Sequence, residues 1–271
     1  MWICPACQSP LSLLDRTWQC DLGHVYDQAK EGYVNLVLAQ QKHSKEPGDN
    51  KQMVTARRAF LEQNHYQPLA KLLAELIVEY QILSDIRLFD AGCGEGYYLD
   101  AIFQSFADKN ISIHASGIDI SKVAVQKAAK KYPANSFAVA SSFKLPVLSH
   151  SQDVLIQVFA PGSALEVHRV LSEKGIWIQV SPGPQHLIEL KHTVYDEPHE
   201  HKPPADVTDG FSLLSERSLT FGIELEDQQQ RMDLLMMTPF YWSSRQDKIE
   251  LMLASMEQVS ADFTIRVWQK N

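Results

Sequence analysis

Cysteine is scarce in this 271-residue chain, which has four. So few thiols in a reducing compartment point to metal ligation or isolated packing rather than to a disulfide framework. Long apolar runs are missing too. No stretch approaches the roughly eighteen consecutive apolar residues that a membrane helix needs, so a span is not expected. The N-terminus, Met1-Trp2-Ile3-Cys4-Pro5, shows no basic segment ahead of an apolar one, which excludes a secretory signal of the usual kind and predicts a cytoplasmic protein. Positive charge is short as well: 25 Lys and Arg stand against 33 Asp and Glu, a net charge of −8. That balance argues against a protein whose whole surface binds nucleic acid. The deficit is uneven, however. Residues 1–60 carry a net +1 and the remainder −9. Within 42–58, Lys42, Lys45, Lys51, Arg57 and Arg58 face only Glu46 and Asp49. A local basic surface suffices for phosphate contacts, because screening limits distant charge to about 10 Å. By charge alone, a solvated linker is an equal reading of this segment.

What is present divides the chain in three. Residues 1–36 are turn-rich, with paired cysteines and too few apolar residues for a core of their own. Residues 37–58 are polar and basic, with the turn signal Pro47-Gly48-Asp49-Asn50, and read as a linker. From residue 59 onward strand-like and helix-like stretches alternate. Leu69, Leu72, Leu73, Leu76 and Ile77 recur at helical spacing. Arg87–Ala91, Ile113–Ile118, Phe137–Ala140, Val154–Phe159 and Ile176–Val180 read as strands, with helices predicted over Tyr97–Phe106, Ser121–Lys131, Ala164–Leu171 and Gln185–Lys191. Two late apolar runs, Met232–Met237 and Phe263–Trp268, are expected to finish the sheet as strands. The alternation predicts an α/β, doubly wound, mostly parallel sheet over 59–271.

At the end of the first of these strands lies Asp90-Ala91-Gly92-Cys93-Gly94-Glu95-Gly96. Glycines two apart let the backbone approach a ligand where a β-carbon would clash. The site is the carboxyl end of the strands, where open α/β sheets bind ligands. Asp90 precedes the first glycine, and no Lys-Ser/Thr pair follows that a triphosphate loop would require. The second strand ends in Gly117-Ile118-Asp119, an acid 25 positions beyond Gly94. A carboxylate there can accept both hydroxyls of a ribose. The two features in register resemble the Rossmann-like class I S-adenosylmethionine-dependent methyltransferases. The loop after the fourth strand, Gln157-Val158-Phe159-Ala160-Pro161-Gly162, lacks the Asn/Asp-Pro-Pro-aromatic signature of exocyclic-amine methylation. Phe159 there could stack on a flipped base or belong to the core.

Three of the four cysteines fall in the first twenty residues. Cys4-Pro5-Ala6-Cys7 and Cys20-Asp21-Leu22-Gly23-His24 supply a Cys₃His set for a closed, tetrahedral zinc site. Such a site is structural and supplies folding energy to a weakly apolar peptide. Cys93, in the glycine loop, reads as a packing thiol.

Taken together, Ala29-Lys30-Glu31-Gly32-Tyr33-Val34-Asn35-Leu36, Ala56-Arg57-Arg58-Ala59-Phe60-Leu61, His65-Tyr66-Gln67-Pro68-Leu69, Gly92-Cys93-Gly94-Glu95-Gly96-Tyr97-Tyr98 and Pro182-Gly183-Pro184-Gln185-His186-Leu187 resemble the bacterial 23S ribosomal RNA guanine-N1 methyltransferases. The resemblance runs from Cys4 to about Trp268. It implies methyl transfer from S-adenosylmethionine to ring nitrogen N1 of a guanine in a hairpin loop of 23S ribosomal RNA. It also implies that Tyr66 lies over the cofactor, that Tyr98 and Leu99 follow the glycine loop into its site, and that His186 closes the pocket from the far side. The family divides between two neighbouring guanines, and the Lys30–Leu36 and Tyr97-Tyr98 contexts favour the Gram-negative branch. The alternatives are the sister, macrolide-resistance activity or a small-molecule methyltransferase, although the latter needs no zinc module. N1 carries a proton at neutral pH; Glu95, Asp90 and His186 are the titratable groups nearest the pocket, and none is an obvious base. One small basic patch is little for a folded RNA, which leaves room for a homodimer.

Overall fold

The computed structural model describes residues 2–38, 47–107, 109, 111–194, 201 and 209–271. Lys42, Lys45 and Glu46, part of the basic segment, lie outside the described residues. The chain begins with a three-stranded antiparallel ribbon, β1 (Ser12–Leu14), β2 (Thr17–Gln19) and β3 (Val25–Asp27), followed by β4 (Val34–Asn35). Helices α1 (Lys51–Glu62) and α2 (Gln67–Tyr80) lead into the alternating part: β5 (Asp85–Ala91), α3 (Tyr97–Ser105), β6 (Ser112–Asp119), α4 (Lys122–Lys131), β7 (Ser136–Val139), β8 (Gln152–Val158), α5 (Ala164–Val170), β9 (Leu171–Pro182) and α6 (Ile188–Val194). The chain ends with β10 (Phe211–Glu224), α7 (Gln228–Met236), α8 (Pro239–Ser243), α9 (Gln246–Ser255) and β11 (Gln258–Lys270).

One eight-stranded sheet, ordered β10-β11-β9-β8-β5-β6-β7-β4, organises the molecule. From β4 to β9 the pairings are parallel; β11 and β10 close one side antiparallel. The central parallel strands are buried through their middles, and β8 is buried at every position, its Gln152, Asp153 and Gln157 included. The strand order reverses between β6 and β8 around β5. That crevice is the topological switch point where α/β sheets bind ligands.

The ends of the helices are set locally. Asn50 accepts the N–H groups of Gln52 and Met53 at the start of α1, so the turn signal Pro47–Asn50 is an N-cap and the basic residues Lys51, Arg57 and Arg58 lie on a helix. Ser121 caps α4 in the same way.

The run Met232–Met237, expected as a strand, instead forms the end of helix α7. Asp227 accepts the N–H of Gln230, and unbranched Met and Leu lose little freedom in a helix. Leu234 and Leu235 turn inward on that helix. The strand that completes the edge is instead β10, whose Ser, Glu, Arg and Thr residues lie on a half-exposed surface and give little apolar signal.

The ribbon has no separate interior. Trp2, Cys4, Leu11, Cys20, Val34 and Leu36 share one buried cluster with Phe89, Ile118, Leu155 and Trp177 of the main sheet. Trp2 is 1% exposed and meets Phe89 edge-to-face, with ring centroids 6.3 Å apart. β4 then adds to the sheet beside β7. The small apolar content of residues 1–36 is therefore spent on docking.

Candidate cofactor cleft and metal centre

In the ribbon, the ligand atoms of Cys4, Cys7, Cys20 and His24 all lie within 4.8 Å of one another. The Sγ atoms of Cys7 and Cys20 are 3.7 Å apart, and Cys20 Sγ is 3.3 Å from His24 Nδ1. Four ligands about 2.3 Å from a common centre would have edges of about 3.8 Å, so the donors fit a tetrahedral zinc ion. Hydrogen bonds from Ser9 draw the Cys7 thiol down to about 6, toward the thiolate a metal requires. All four positions belong to the protein, so the zinc is structural.

The second site is a cleft of about 540 Å³ at the carboxyl ends of β5, β6 and β8, walled by α1 and by the turns that carry Tyr66, His186 and Met237–Pro239. Gly92 and Gly94 form its floor. A β-carbon on Gly92 would come within 2.3 Å of Ala160, whereas one on Gly94 would project into the cleft, 3.9 Å from Arg57. Both glycines have positive φ. Gly96 serves packing instead: its φ is +86°, and a β-carbon would meet Tyr132, Ala128 and Phe137, where α3 approaches α4. Cys93 lies against Gly117 and is buried, as a packing thiol should be.

The cleft brings together Tyr66, Gly92, Gly94, Glu95, Tyr98, Asp119 and His186. Asp90, Gly96 and Leu99 stand behind this lining, with Asp90 and Leu99 buried. Asp119 accepts the N–H of Gly94 at 3.0 Å and of Ser121 at 2.7 Å, one on each oxygen. The carboxylate is thus fixed at the strand end, with lone pairs left for a diol. Burial, the largest influence, raises Asp119 above the usual carboxylate range. Burial likewise raises Glu95 and, further, Asp90. Among the described residues, Tyr66 Oη, Glu95 Oε2 and Asp90 Oδ1 are buried without a hydrogen-bond partner. Such orphans are costly, and the two that line the cleft, Tyr66 Oη and Glu95 Oε2, fit a polar ligand that satisfies them.

The far wall is aromatic. His186 accepts the Asp262 N–H at Nδ1, 3.3 Å away, which leaves the imidazole proton on Nε2. Burial pushes its pKa down to about 3, so the ring is neutral at pH 7. Phe159 stacks on it at 5.8 Å with rings 24° from parallel. Phe159 also holds φ at +53°, a strained conformation for a bulky residue, and is 42% exposed at the cleft mouth. Phe159 therefore lines the cleft and is not part of the core, one of the two readings open from the sequence.

Sequence reasoning passed over Asp49, Met53, Arg57 and Met237–Pro239 as parts of this lining. Arg57 was legible only as one charge in a basic run. Helix α1 turns it inward, where it pairs with Asp49 at 2.5 Å and donates to the Met237 carbonyl at 3.3 Å.

Comparison with known proteins finds a family match for each of the two parts of the chain. Residues 2–45 match the zinc-ribbon family described as RlmA, N-terminal, and residues 82–237 match a family described as Methyltransferase domain. A Bacillus subtilis protein, YxjB, whose name places it among the 23S rRNA (guanine-N(1)-)-methyltransferases, is 30% identical over 275 residues, covering 98% of this chain and 95% of that protein. The 23S rRNA (guanine(748)-N(1))-methyltransferase of Streptomyces fradiae is 36% identical over 191 residues, 69% of this chain and 65% of that protein. A Micromonospora griseorubida protein of the same family name is 32% identical over 205 residues, 69% of this chain and 67% of that protein. These relatives lend no support to the Gram-negative branch favoured from the Lys30–Leu36 and Tyr97-Tyr98 contexts. With its fused zinc ribbon and class I S-adenosylmethionine methyltransferase fold, the chain belongs to the 23S rRNA (guanine-N1)-methyltransferase family.

Proposed function

We propose that this protein transfers a methyl group from S-adenosylmethionine to N1 of a guanine in a hairpin loop of 23S ribosomal RNA. The observation that carries the reading is the pairing of a closed zinc ribbon with an open cofactor cleft in one chain, matched to a guanine-N1 relative over nearly its full length. In this reading residues 1–36 are the zinc module and 59–271 the methyltransferase domain; of the basic 37–58 stretch between them, α1 carries residues 51–58 into the wall of the cofactor cleft. Ribosomal RNA as substrate puts the work in the cytoplasm. Among the described residues no helix is long and apolar enough to cross a membrane.

The residues that would hold the cofactor are Tyr66, Gly92, Gly94, Glu95, Tyr98, Asp119 and His186, with Asp90, Gly96 and Leu99 shaping the loop and helix behind them. When bound, S-adenosylmethionine supplies the methyl electrophile, so that an N–C bond forms on N1 as the S–C bond breaks. N1 lies on the Watson–Crick edge, so the guanine must enter unpaired, as a hairpin-loop base does. Phe159 offers its ring face for stacking at the cleft mouth. His186, as an Nε2–H donor, cannot take the N1 proton, but it can hold an acceptor atom on the base or the cofactor. Asp119 is held by two backbone N–H groups and Asp90 is buried behind the loop. Catalysis rests chiefly on placement, which can supply roughly 7–11 kcal/mol.

The relative whose name states a target modifies guanine 748, and that position is the first at which to look for the modification here. A homodimer would present two basic faces to the folded RNA, and sedimentation with and without RNA tests it. Mass spectrometry of 23S RNA from a deletion strain tests the function. Loss of one N1-methylguanine supports it and identifies the guanine; an unchanged set of modifications refutes it.

A further inference from the structure

The cleft contains an arrangement of charge that a nucleoside alone does not require. Arg57 is the one formally cationic side chain among its described lining residues, and it lies over Gly94. Three carboxylates share the lining: Asp49, Glu95 and Asp119. Each has a different occupation. Asp119 is fixed by the Gly94 and Ser121 N–H groups, in the position suited to a ribose diol. Asp49 is spent on Arg57. Glu95 is 4% exposed, and its Oε2 has no hydrogen-bond partner among the described residues. One cation held ready and one carboxylate left unsatisfied, both beside Gly94, form a complementary pair for a zwitterion.

We propose that Arg57 and Glu95 grip the amino-acid end of the methyl donor, Arg57 receiving the α-carboxylate and Glu95 the α-ammonium. The proposal rests on the S-adenosylmethionine reading above and removes Arg57 from the RNA-facing surface. Arg57 carries five N–H donors in a planar fork. Asp49 and the Met237 carbonyl each take one and hold the fork in place, leaving donors for a carboxylate. Arg57 and Glu95 lie close enough for each to shift the ionisation of the other. Burial opposes the charge on Arg57, but Asp49 and then Glu95 outweigh it, so the guanidinium stays charged in the ligand-free protein.

Calorimetry with three ligands separates the parts: S-adenosylhomocysteine, its decarboxylated analogue S-adenosyl-3-thiopropylamine, and 5′-methylthioadenosine, which lacks the whole amino-acid end. Arg57→Met should weaken S-adenosylhomocysteine about 100-fold while leaving the two ligands without a carboxylate within about twofold. Arg57→Lys, which keeps the charge, should recover about tenfold of that loss. Glu95→Gln should weaken both amine-bearing ligands about tenfold and spare methylthioadenosine. Thermal melting checks that each variant is folded. Equal weakening of all three ligands by Arg57→Met would mean a structural role and overturn the proposal. So would unchanged S-adenosylhomocysteine affinity, or a loss of RNA affinity with cofactor affinity intact. If the unmodified protein binds none of the three nucleosides, the cofactor reading itself fails and takes this one with it.

Discussion

The zinc ribbon and the cofactor cleft are built on opposite principles. In the ribbon every ligand atom has its partner: four donors converge within 4.8 Å and no position is open. In the cleft, buried polar atoms of Tyr66 and Glu95 lack partners among the described residues, Phe159 is strained at the mouth, and acids are held above their usual range. The first site gains stability from being closed. The second gives up stability for occupancy by something that comes and goes. Yet the two are not separate bodies, since Trp2, Cys4 and Cys20 belong to a cluster that includes Phe89 of the cofactor-bearing strand.

The largest effect expected from this contrast is loss of the metal. Chelation, or Cys20→Ala, should unfold the ribbon, because structural zinc contributes on the order of 10 kcal/mol. Through the shared cluster it should also lower the melting temperature of the whole chain. A sharp transition that is unchanged by chelation would separate the two regions. Next is Trp2→Ala, which should cost about 3–5 kcal/mol in denaturant unfolding, although Trp2 lies far from β5 in sequence. A ribbon that merely hangs on the domain would give a far smaller loss.

Phe159→Ala should lower kcat/KM on RNA roughly 10- to 100-fold, with S-adenosylhomocysteine affinity unchanged and Phe159→Tyr largely active. Equal loss of cofactor binding would make Phe159 part of the cofactor wall instead. His186 supplies a pH signature. Its folded pKa, about 3, lies below its ordinary 6.5, so its contribution is complete above 6.5 and is lost as pH falls from there toward 3. Each pH unit in that window costs about 1.4 kcal/mol. His201, which faces it, is also lowered and adds to the same acid limb. His186→Asn should make the limb shallower by one proton, measured as stability against pH. The smallest effect is Glu95→Gln, which should leave ligand-free stability within about 0.5 kcal/mol despite the burial of Glu95, because it removes a charge that burial disfavours.

The sequence made the local features of both sites legible. Asp90 to Gly96 is a strand, a loop and the start of a helix in continuous order, and Cys4, Cys7, Cys20 and His24 carry ligand spacing within twenty-one residues. Arg57 was misplaced because charge counting registers its sign but not its direction. Only the packing of α1 over the strand ends turns it into the cleft. Met232–Met237 read as a strand because an apolar run has no visible period; the Asp227 cap three residues ahead of Gln230 was the available signal. β10 escaped because its pairing partner, β11, lies beyond three helices and its outward face is polar.

The account is tested most directly by reconstitution. Purified protein would be incubated with methyl-labelled S-adenosylmethionine and protein-free 23S RNA lacking the modification, and the RNA then digested to nucleosides. The label should appear as 1-methylguanosine from a single hairpin-loop position, with Asp119→Ala abolishing it. Label in any other nucleoside, or in none, would contradict the assignment.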